Sequence, residues 1–376
     1  MKIAINALPL KTDKLGGAST YFINLVKHMS ILSGSDTCFY IYCTEPISEC
    51  IKGFRNVILL KCSPLLKIPL FRFIYEQVVL PFKVLLLNAD LLFLPLSVGT
   101  IFCPIKTVVV IHDLAFKQYR ETLSFGQYFI RRVFLRFSLK AAWKIIALTN
   151  SMKEEIIKEY PFAREKMIVI YSGVDFEKST KARVESNFKK ECFIRVPYIY
   201  YPASFYKHKN HITLLKAFAR LKAEVMGPIN LVLTGLKTSW YFSVQKVIRE
   251  LDLVDSVKYL GFVSESEKDL LYSRALFLVF PSLYEGFGFP VLESMTHKCP
   301  VLASNIPVVV EVAGGAALFV DAESVDSLYL GLKRLYYDSD LRTQLIKRGL
   351  EQVKCFSWEK TARETLSVFE EVYKGA

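Results

Sequence analysis

The stretch Phe280-Pro281-Ser282-Leu283-Tyr284-Glu285-Gly286-Phe287-Gly288-Phe289-Pro290-Val291-Leu292-Glu293 decides how this chain is read. An apolar run ends at Phe280, a loop carries Glu285, and two glycines let the backbone approach a ligand closely. Pro290 suits the first turn of a helix, which puts Glu293 among that helix's early residues. Backbone N–H groups from Gly288 and Phe289 onward would then point at an anion such as a diphosphate. An ordinary strand-turn-helix with surface glutamates has the same outline, so the rest of the chain must decide.

Outward from that stretch, short apolar runs alternate with helical patterns. Lys2 to Ala7 reads as a buried strand, Gly16-Gly17 follow, and a helical pattern runs through Tyr21, Leu25 and Met29. Strand, Gly-rich loop and helix open a doubly wound α/β domain. Phe39–Cys43, Val57–Leu60, Leu91–Leu94, Thr107–Ile111 and Lys144–Leu148 add candidate strands. The rhythm restarts after the polar stretch Asp175–Glu191, with strands at Tyr198–Pro202, Asn230–Thr234, Val257–Tyr259, Leu276–Phe280 and Pro300–Ala303. A helix is predicted at Thr213–Val225 and an amphipathic one at Trp358–Tyr373. The expectation is α/β: two Rossmann-like, doubly wound domains facing a cleft, at 1–180 and 191–355, with a closing segment at 356–376.

Composition agrees with a folded protein. Of 376 residues, 52% are apolar and 23% charged, which excludes a disordered or collagen-like chain. Residues 1–190 hold 27 Lys+Arg against 15 Asp+Glu, while 191–376 hold 22 against 21. One half therefore carries nearly all the excess, which points to an anionic partner there. The eight cysteines include no Cys-x-x-Cys, and no histidine pair has ligand spacing, so neither a zinc site nor a disulfide framework is indicated and a reducing cytosol fits. Met1 to Ala7 lacks the apolar core of a signal peptide. The hydrophobic region Pro64–Ile105 is broken by Lys83, Asn88, Asp90 and three prolines, so it does not read as a span, which needs about 20 apolar residues.

Two glutamates eight positions apart with Gly-Phe-Gly-Phe-Pro between them resemble the signature of the retaining glycosyltransferases of family 4, which have the GT-B fold. The resemblance extends through Gly16-Gly17, Ile111-His112-Asp113, His208-Lys209-Asn210-His211, Ser304-Asn305 to Gly314, and Phe356-Ser357-Trp358-Glu359. It implies that Glu285 bonds hydroxyls of the donor sugar and that Glu293 holds the nucleotide ribose. A carboxylate suits both roles, since it accepts two hydrogen bonds from a vicinal diol. Phe287, Gly288 and Phe289 would give backbone contacts to sugar and diphosphate, with Gly235 and Val263 completing the donor set. Lys209 looks like the phosphate-binding lysine that neutralises charge on the leaving diphosphate. Gly17, before a helix N-terminus, would face the same diphosphate from the first domain. His112 ends an apolar strand, at the sheet edge where ligands bind, and would lie near the reacting centre. Many members carry an Arg a few residues before the lysine, where this chain reads Ala203-Ser204.

Retention by double displacement needs a nucleophilic carboxylate beside the anomeric carbon. No further acidic motif is dedicated to that job, although Glu285 stays available for it. The resemblance implies instead a reaction on one face, in which the departing phosphate oxygen takes the acceptor's proton. No metal and no cofactor are expected. Tyr201-Pro202-Ala203 leading to His208-Lys209-Asn210-His211 resembles the variant common in GDP-mannose-dependent mannosyltransferases; UDP-glucose and UDP-N-acetylhexosamine stay open. A saccharide acceptor, often lipid-linked in such bacterial enzymes, suits the basic first half.

Other classes are weaker. Gly16-Gly17 is not the Gly-x-Gly-x-x-Gly of a dinucleotide oxidoreductase, and no recognition module for nucleic acid accompanies the charge. A catalytically silent GT-B scaffold is the remaining alternative. Finally, Arg132, Arg136, Lys140 and Lys144 recur at four-residue steps in the helical pattern Gln127–Lys144, with Ile130, Phe134, Phe137 and Ala141 on another side. That stripe predicts peripheral attachment to an anionic membrane surface, at the inner face of the cytoplasmic membrane.

Overall fold

The computed structural model describes residues 1–10, 16–96, 100–120, 123, 125–175 and 196–375. The chain divides into two units, Met1–Gly173 with Phe356–Ala376, and Val174–Cys355. Most of the polar stretch Asp175–Glu191, and with it the expected boundary between 180 and 191, lies outside the described residues.

The first unit is built on a seven-stranded parallel sheet: β1 (Lys2–Asn6), β2 (Cys38–Cys43), β3 (Val57–Lys61), β4 (Leu91–Leu94), β5 (Lys106–Ile111), β6 (Lys144–Ala147) and β7 (Met167–Val169). Their order is β3-β2-β1-β4-β5-β6-β7. The inner strands are near-continuous apolar runs because a parallel sheet is covered on both faces: every residue of β4, and Val108–Ile111 of β5, is buried. The second unit holds β8 (Tyr198–Pro202), β9 (Asn230–Thr234), β10 (Val257–Tyr259), β11 (Phe277–Phe280), β12 (Val301–Ser304) and β13 (Ala317–Val320), all parallel. Here the order is β10-β9-β8-β11-β12-β13. Both are Rossmann-like sheets, as the apolar rhythm predicts. In the second, the chain winds one way from β8 and the other way from β11. The topological switch point therefore lies between β8 and β11, and ligands of such sheets bind at the carboxyl ends of those strands.

The last helix, Trp358–Lys374, belongs to the first unit. Its ring contacts explain why: Trp358 meets Tyr21 at 6.0 Å between centroids, and Phe369 meets Phe93 at 5.0 Å. The Lys106 ammonium donates to the Val372 carbonyl at 2.6 Å, and Lys144 pairs with Glu371. A Cβ on Gly173 would stand 2.2 Å from the Trp358 backbone nitrogen, so only glycine lets the chain pass there.

The basic stripe needs correcting. The helix spans Phe125–Ala141, and Lys144 is the first residue of β6, already paired with Glu371. Arg132, Arg136 and Lys140 are exposed on the helix, but Phe137 and Ala141 are exposed as well. Leu135, Ser138 and Leu139 are buried instead. The four-residue spacing continues past the helix because Ile145–Ala147 are claimed by the sheet, whose burial outweighs local periodicity. Among the described residues no helix is long and apolar enough to cross a membrane.

Candidate functional site

The loops after the carboxyl ends of β8 and β11 carry two charged residues named from the sequence, Lys209 and Glu285. Parallel pairing aligns Phe277 with Ile199 and Leu278 with Tyr200, so the loops that follow both strands leave the same edge. After β8 the chain forms a short turn at Lys207–Lys209, and Asn210 follows in the left-handed region with φ of 58°. Asn tolerates that conformation better than most residues, and its side chain is also used. Its amide donates to the carbonyls of Pro281 at 3.2 Å and Ala322 at 2.7 Å. The Leu283 N–H donates to the His208 carbonyl at 2.8 Å, and the buried Tyr201 hydroxyl donates to the Lys209 carbonyl at 2.5 Å. The two loops are thus stitched together by main-chain and amide bonds.

That stitching fixes the central contact. The Lys209 ammonium donates to Glu285 Oε1 at 2.5 Å, with 18% and 11% of the two side chains exposed. An ion pair this far out of water is costly to break on one side, about 3–5 kcal/mol where a charge is left alone. His208 and His211 flank the lysine without competing for charge. Burial, with help from the Lys209 cation, pushes both down to about 3, so both rings are neutral. His211 stacks on Phe205 at 4.5 Å and His208 on Tyr206 at 5.6 Å.

Glu293 sits further along. The helix Phe289–Thr296 begins after Gly288, whose φ of 91° is a conformation that L side chains resist, and Pro290 occupies its first turn. Its N-cap residue, Gly288, has no side chain to cap it. Glu293 Oε1 accepts from the Lys268 ammonium at 2.9 Å, and Oε2 accepts from the Tyr272 hydroxyl at 2.9 Å. Burial alone would lower the Lys268 pKa, but the carboxylates of Glu293 and Glu265 more than offset it, and the net shift is upward. Lys268 and Tyr272 are one helical turn apart on Glu265–Arg274, and the sequence reading did not name them. An i, i+4 Lys and Tyr following a capping box is the signal that could have found them.

Gly235 and Val263 lie just beyond β9 and β10, at the same carboxyl edge. At Gly235, φ is 131° and a Cβ would stand 2.5 Å from the Ala203 carbonyl oxygen, so the loops after β8 and β9 close up only on glycine. Its own carbonyl accepts from the Tyr259 hydroxyl at 2.8 Å. Phe287 is buried, with its ring 4.9 Å from that of Phe289.

Gly17 and His112 belong to the first unit. Gly17 opens the helix Gly17–Leu32, whose first turn has no acidic residue and no side-chain cap. One turn on, Tyr21 meets the His112 ring edge-on at 5.0 Å, which brings these two regions of the edge together. His112 follows β5, and its Nε2–H donates to the Pro95 carbonyl at 2.8 Å, leaving Nδ1 as the acceptor nitrogen of the neutral ring. Burial lowers its pKa, so neutrality is favoured. Asp113 acts locally, its carboxylate accepting from the Ala115 N–H at 3.0 Å. Among the described residues no cluster of His, Cys, Asp and Glu could hold a metal.

With this geometry in hand, comparison with known proteins decides the family. The model for Glycosyltransferase Family 4 matches residues 15–178, and that for Glycosyl transferases group 1 matches 183–352. The chain belongs to glycosyltransferase family 4. It is similar to the O-antigen chain mannosyltransferase RfbU of Salmonella typhimurium, 30% identical over 231 residues, covering 60% of each chain. It is also similar to O-antigen chain mannosyltransferase B of Escherichia coli, 29% identical over 238 residues, 62% of each. The matched region thus spans about 60% of these relatives' length. The GT-B fold is shared with solved structures, among them Anabaena HepE in complex with UDP and glucose, with a TM-score of 0.75 at 17% identity over 99% of this chain and 100% of that one.

Proposed function

We propose that this family 4 glycosyltransferase moves a hexosyl group, mannosyl by preference, from a nucleoside-diphosphate sugar to a saccharide acceptor carried on lipid. GDP-mannose is the favoured donor, and the anomeric configuration is retained. The observation that carries the reading is the Lys209–Glu285 contact at the switch point of the second sheet. An ammonium has three N–H donors, so with one spent on Glu285 two are left for oxygens of a diphosphate. Glu285 likewise keeps its second oxygen for a sugar hydroxyl. As the glycosidic bond to the phosphate oxygen breaks, the negative charge on that oxygen is met by Lys209, and the acceptor hydroxyl's proton passes to it as the new bond forms. Lys268 and Tyr272 hold Glu293 in a fixed orientation, which suits a carboxylate that meets the two ribose hydroxyls. Support for mannose comes from the two relatives named for O-antigen mannosyl transfer and from the Tyr201-Pro202-Ala203 form. A UDP-sugar donor is the second reading, favoured by the likeness to HepE with UDP and glucose.

A panel of GDP-mannose, UDP-glucose and UDP-N-acetylglucosamine tests this directly. GDP-mannose should bind saturably and be hydrolysed slowly without acceptor; tighter binding of either UDP-sugar would transfer the proposal to that donor, and no binding of any would leave a silent scaffold. Turnover should also persist in excess EDTA. Activity abolished by EDTA and restored by Mg²⁺ or Mn²⁺ would count against a mechanism resting on Lys209 and helix N-termini alone. The enzyme is further assigned to the surface of an anionic membrane, on the cytoplasmic side, where a lipid-linked acceptor presents its sugar.

A further inference from the structure

Residues 69–86 form one continuous helical run: α-helix at Pro69–Ile74, a π turn at Tyr75–Val79, then α-helix at Leu80–Leu86. It packs against its unit through Glu76, Leu80, Pro81 and Val84, all buried. An ordinary surface helix would turn polar residues outward. This one turns out Leu70, Phe71, Ile74, Val78, Phe82 and Leu86, with Phe82 66% and Leu86 82% exposed. Steps of three or four residues from Phe71 to Leu86 keep them along one side. Contiguous exposed apolar surface of this kind marks an interaction site.

What covers it is indicated by charge. Phe73 touches Phe134 at 4.7 Å between ring centroids, which joins this run to the helix Phe125–Ala141. There Phe125, Phe129, Arg132, Arg136 and Lys140 are exposed, again at steps of three and four. Lys61, Lys67 and Lys83 are exposed around the first run. Between residues 61 and 87 the only acid is Glu76, and between 125 and 143 there is none. Glu76 is buried, and its carboxylate accepts from the Asn6 amide at 2.9 Å, so neither helix shows an exposed carboxylate. A second copy placed symmetrically on this surface would bring cations against cations. An anionic lipid leaflet satisfies both features: it takes apolar side chains without a matching shape, while the flanking amines meet headgroups.

We propose that the helical run Pro69–Leu86 inserts its exposed apolar side into the outer part of an anionic leaflet, with Arg132, Arg136 and Lys140 on the headgroups. The proposal rests on the lipid-linked acceptor reading and names the surface that serves it. It differs from adsorption by charge alone, because insertion survives salt that screens the headgroups. The test is co-sedimentation of the full chain with phosphatidylcholine vesicles, with and without about 30% phosphatidylglycerol, at low and at roughly 0.5 M salt. Wild type should bind the anionic vesicles and keep a measurable part of that binding at high salt. The triple variant Phe71→Ser, Phe82→Ser, Leu86→Ser should bind about ten-fold or more weakly at either salt. Arg132→Gln, Arg136→Gln, Lys140→Gln should lose binding chiefly at low salt. Hydrolysis of soluble donor, measured without vesicles, should be unchanged in both, which shows that they fold. Wild type that ignores anionic vesicles, a serine triple that binds like wild type, or a dimer in solution that the serine triple dissociates would each overturn the proposal. Absent donor hydrolysis in wild type would instead remove the transfer reading and leave the vesicle result standing.

Discussion

Replacing Lys209 by Met should lower kcat by about 10²–10³-fold, the cost of removing one charged donor worth roughly 3–4 kcal/mol at a developing anion. The same change removes the partner of Glu285, whose side chain is only 11% exposed. An unpaired carboxylate there should also destabilise the second unit, so a fall in activity by itself would be ambiguous. The double variant Lys209→Met, Glu285→Gln separates the two effects. With no charge left in the pair, much of the lost stability in urea unfolding should return, because two neutral groups replace a broken ion pair. Activity should not return under the proposed mechanism, in which Lys209 is the cation that meets the leaving diphosphate. Recovery of turnover along with stability would mean that Lys209 merely supports Glu285, and the leaving-group role would be withdrawn.

Much of this was legible in the sequence for one physical reason. Parallel sheets buried on both faces are written as apolar runs, and β1, β4, β5, β8, β9 and β11 are such runs. Two strands went unread, β7 and β13, three and four residues long at the edges of their sheets. Lys144 was claimed by two patterns, a helix of four-residue steps and an apolar strand, and long-range pairing with β5 decided for the strand. Within the site, Lys209, Glu285 and Glu293 were readable because each sits beside residues that constrain the backbone: Asn210, Gly288 and Pro290. Their partners were not. Lys268 and Tyr272 reach Glu293 from a helix more than twenty residues upstream, and Asn210 reaches Ala322 across 112 residues. Contacts of that span are not written locally; the i, i+4 spacing of Lys268 and Tyr272 marks a shared helix face but not the glutamate they reach. The exposed apolar side of residues 69–86 was hidden for a different reason. The sequence shows an apolar region at Pro64–Ile105, but which side chains face solvent depends on where the sheet lies.

Glu285→Gln and Glu293→Ala should fail in different ways, because the proposed mechanism gives them different ends of the donor. Glu285 lies in a loop against the Lys209 ammonium, so its effect belongs where charge changes during reaction. Gln keeps the shape and one acceptor oxygen but loses the charge, and kcat should fall by about 10²-fold or more with nucleotide binding little altered. Glu293 lies on a helix, with each oxygen already taking one hydrogen bond, from Lys268 and from Tyr272. Cutting it to Ala removes acceptors for the ribose hydroxyls, a loss of roughly 1.5–3 kcal/mol, which weakens donor binding by about 10- to 100-fold. The fold should tolerate that change. Lys268 retains Glu265 at 3.1 Å, so its ammonium is not left alone. Donor titration by calorimetry, together with kcat at saturating donor, resolves the pair. Equal and small effects from both, or the opposite pattern, would show that the two glutamates do not divide sugar and ribose between them.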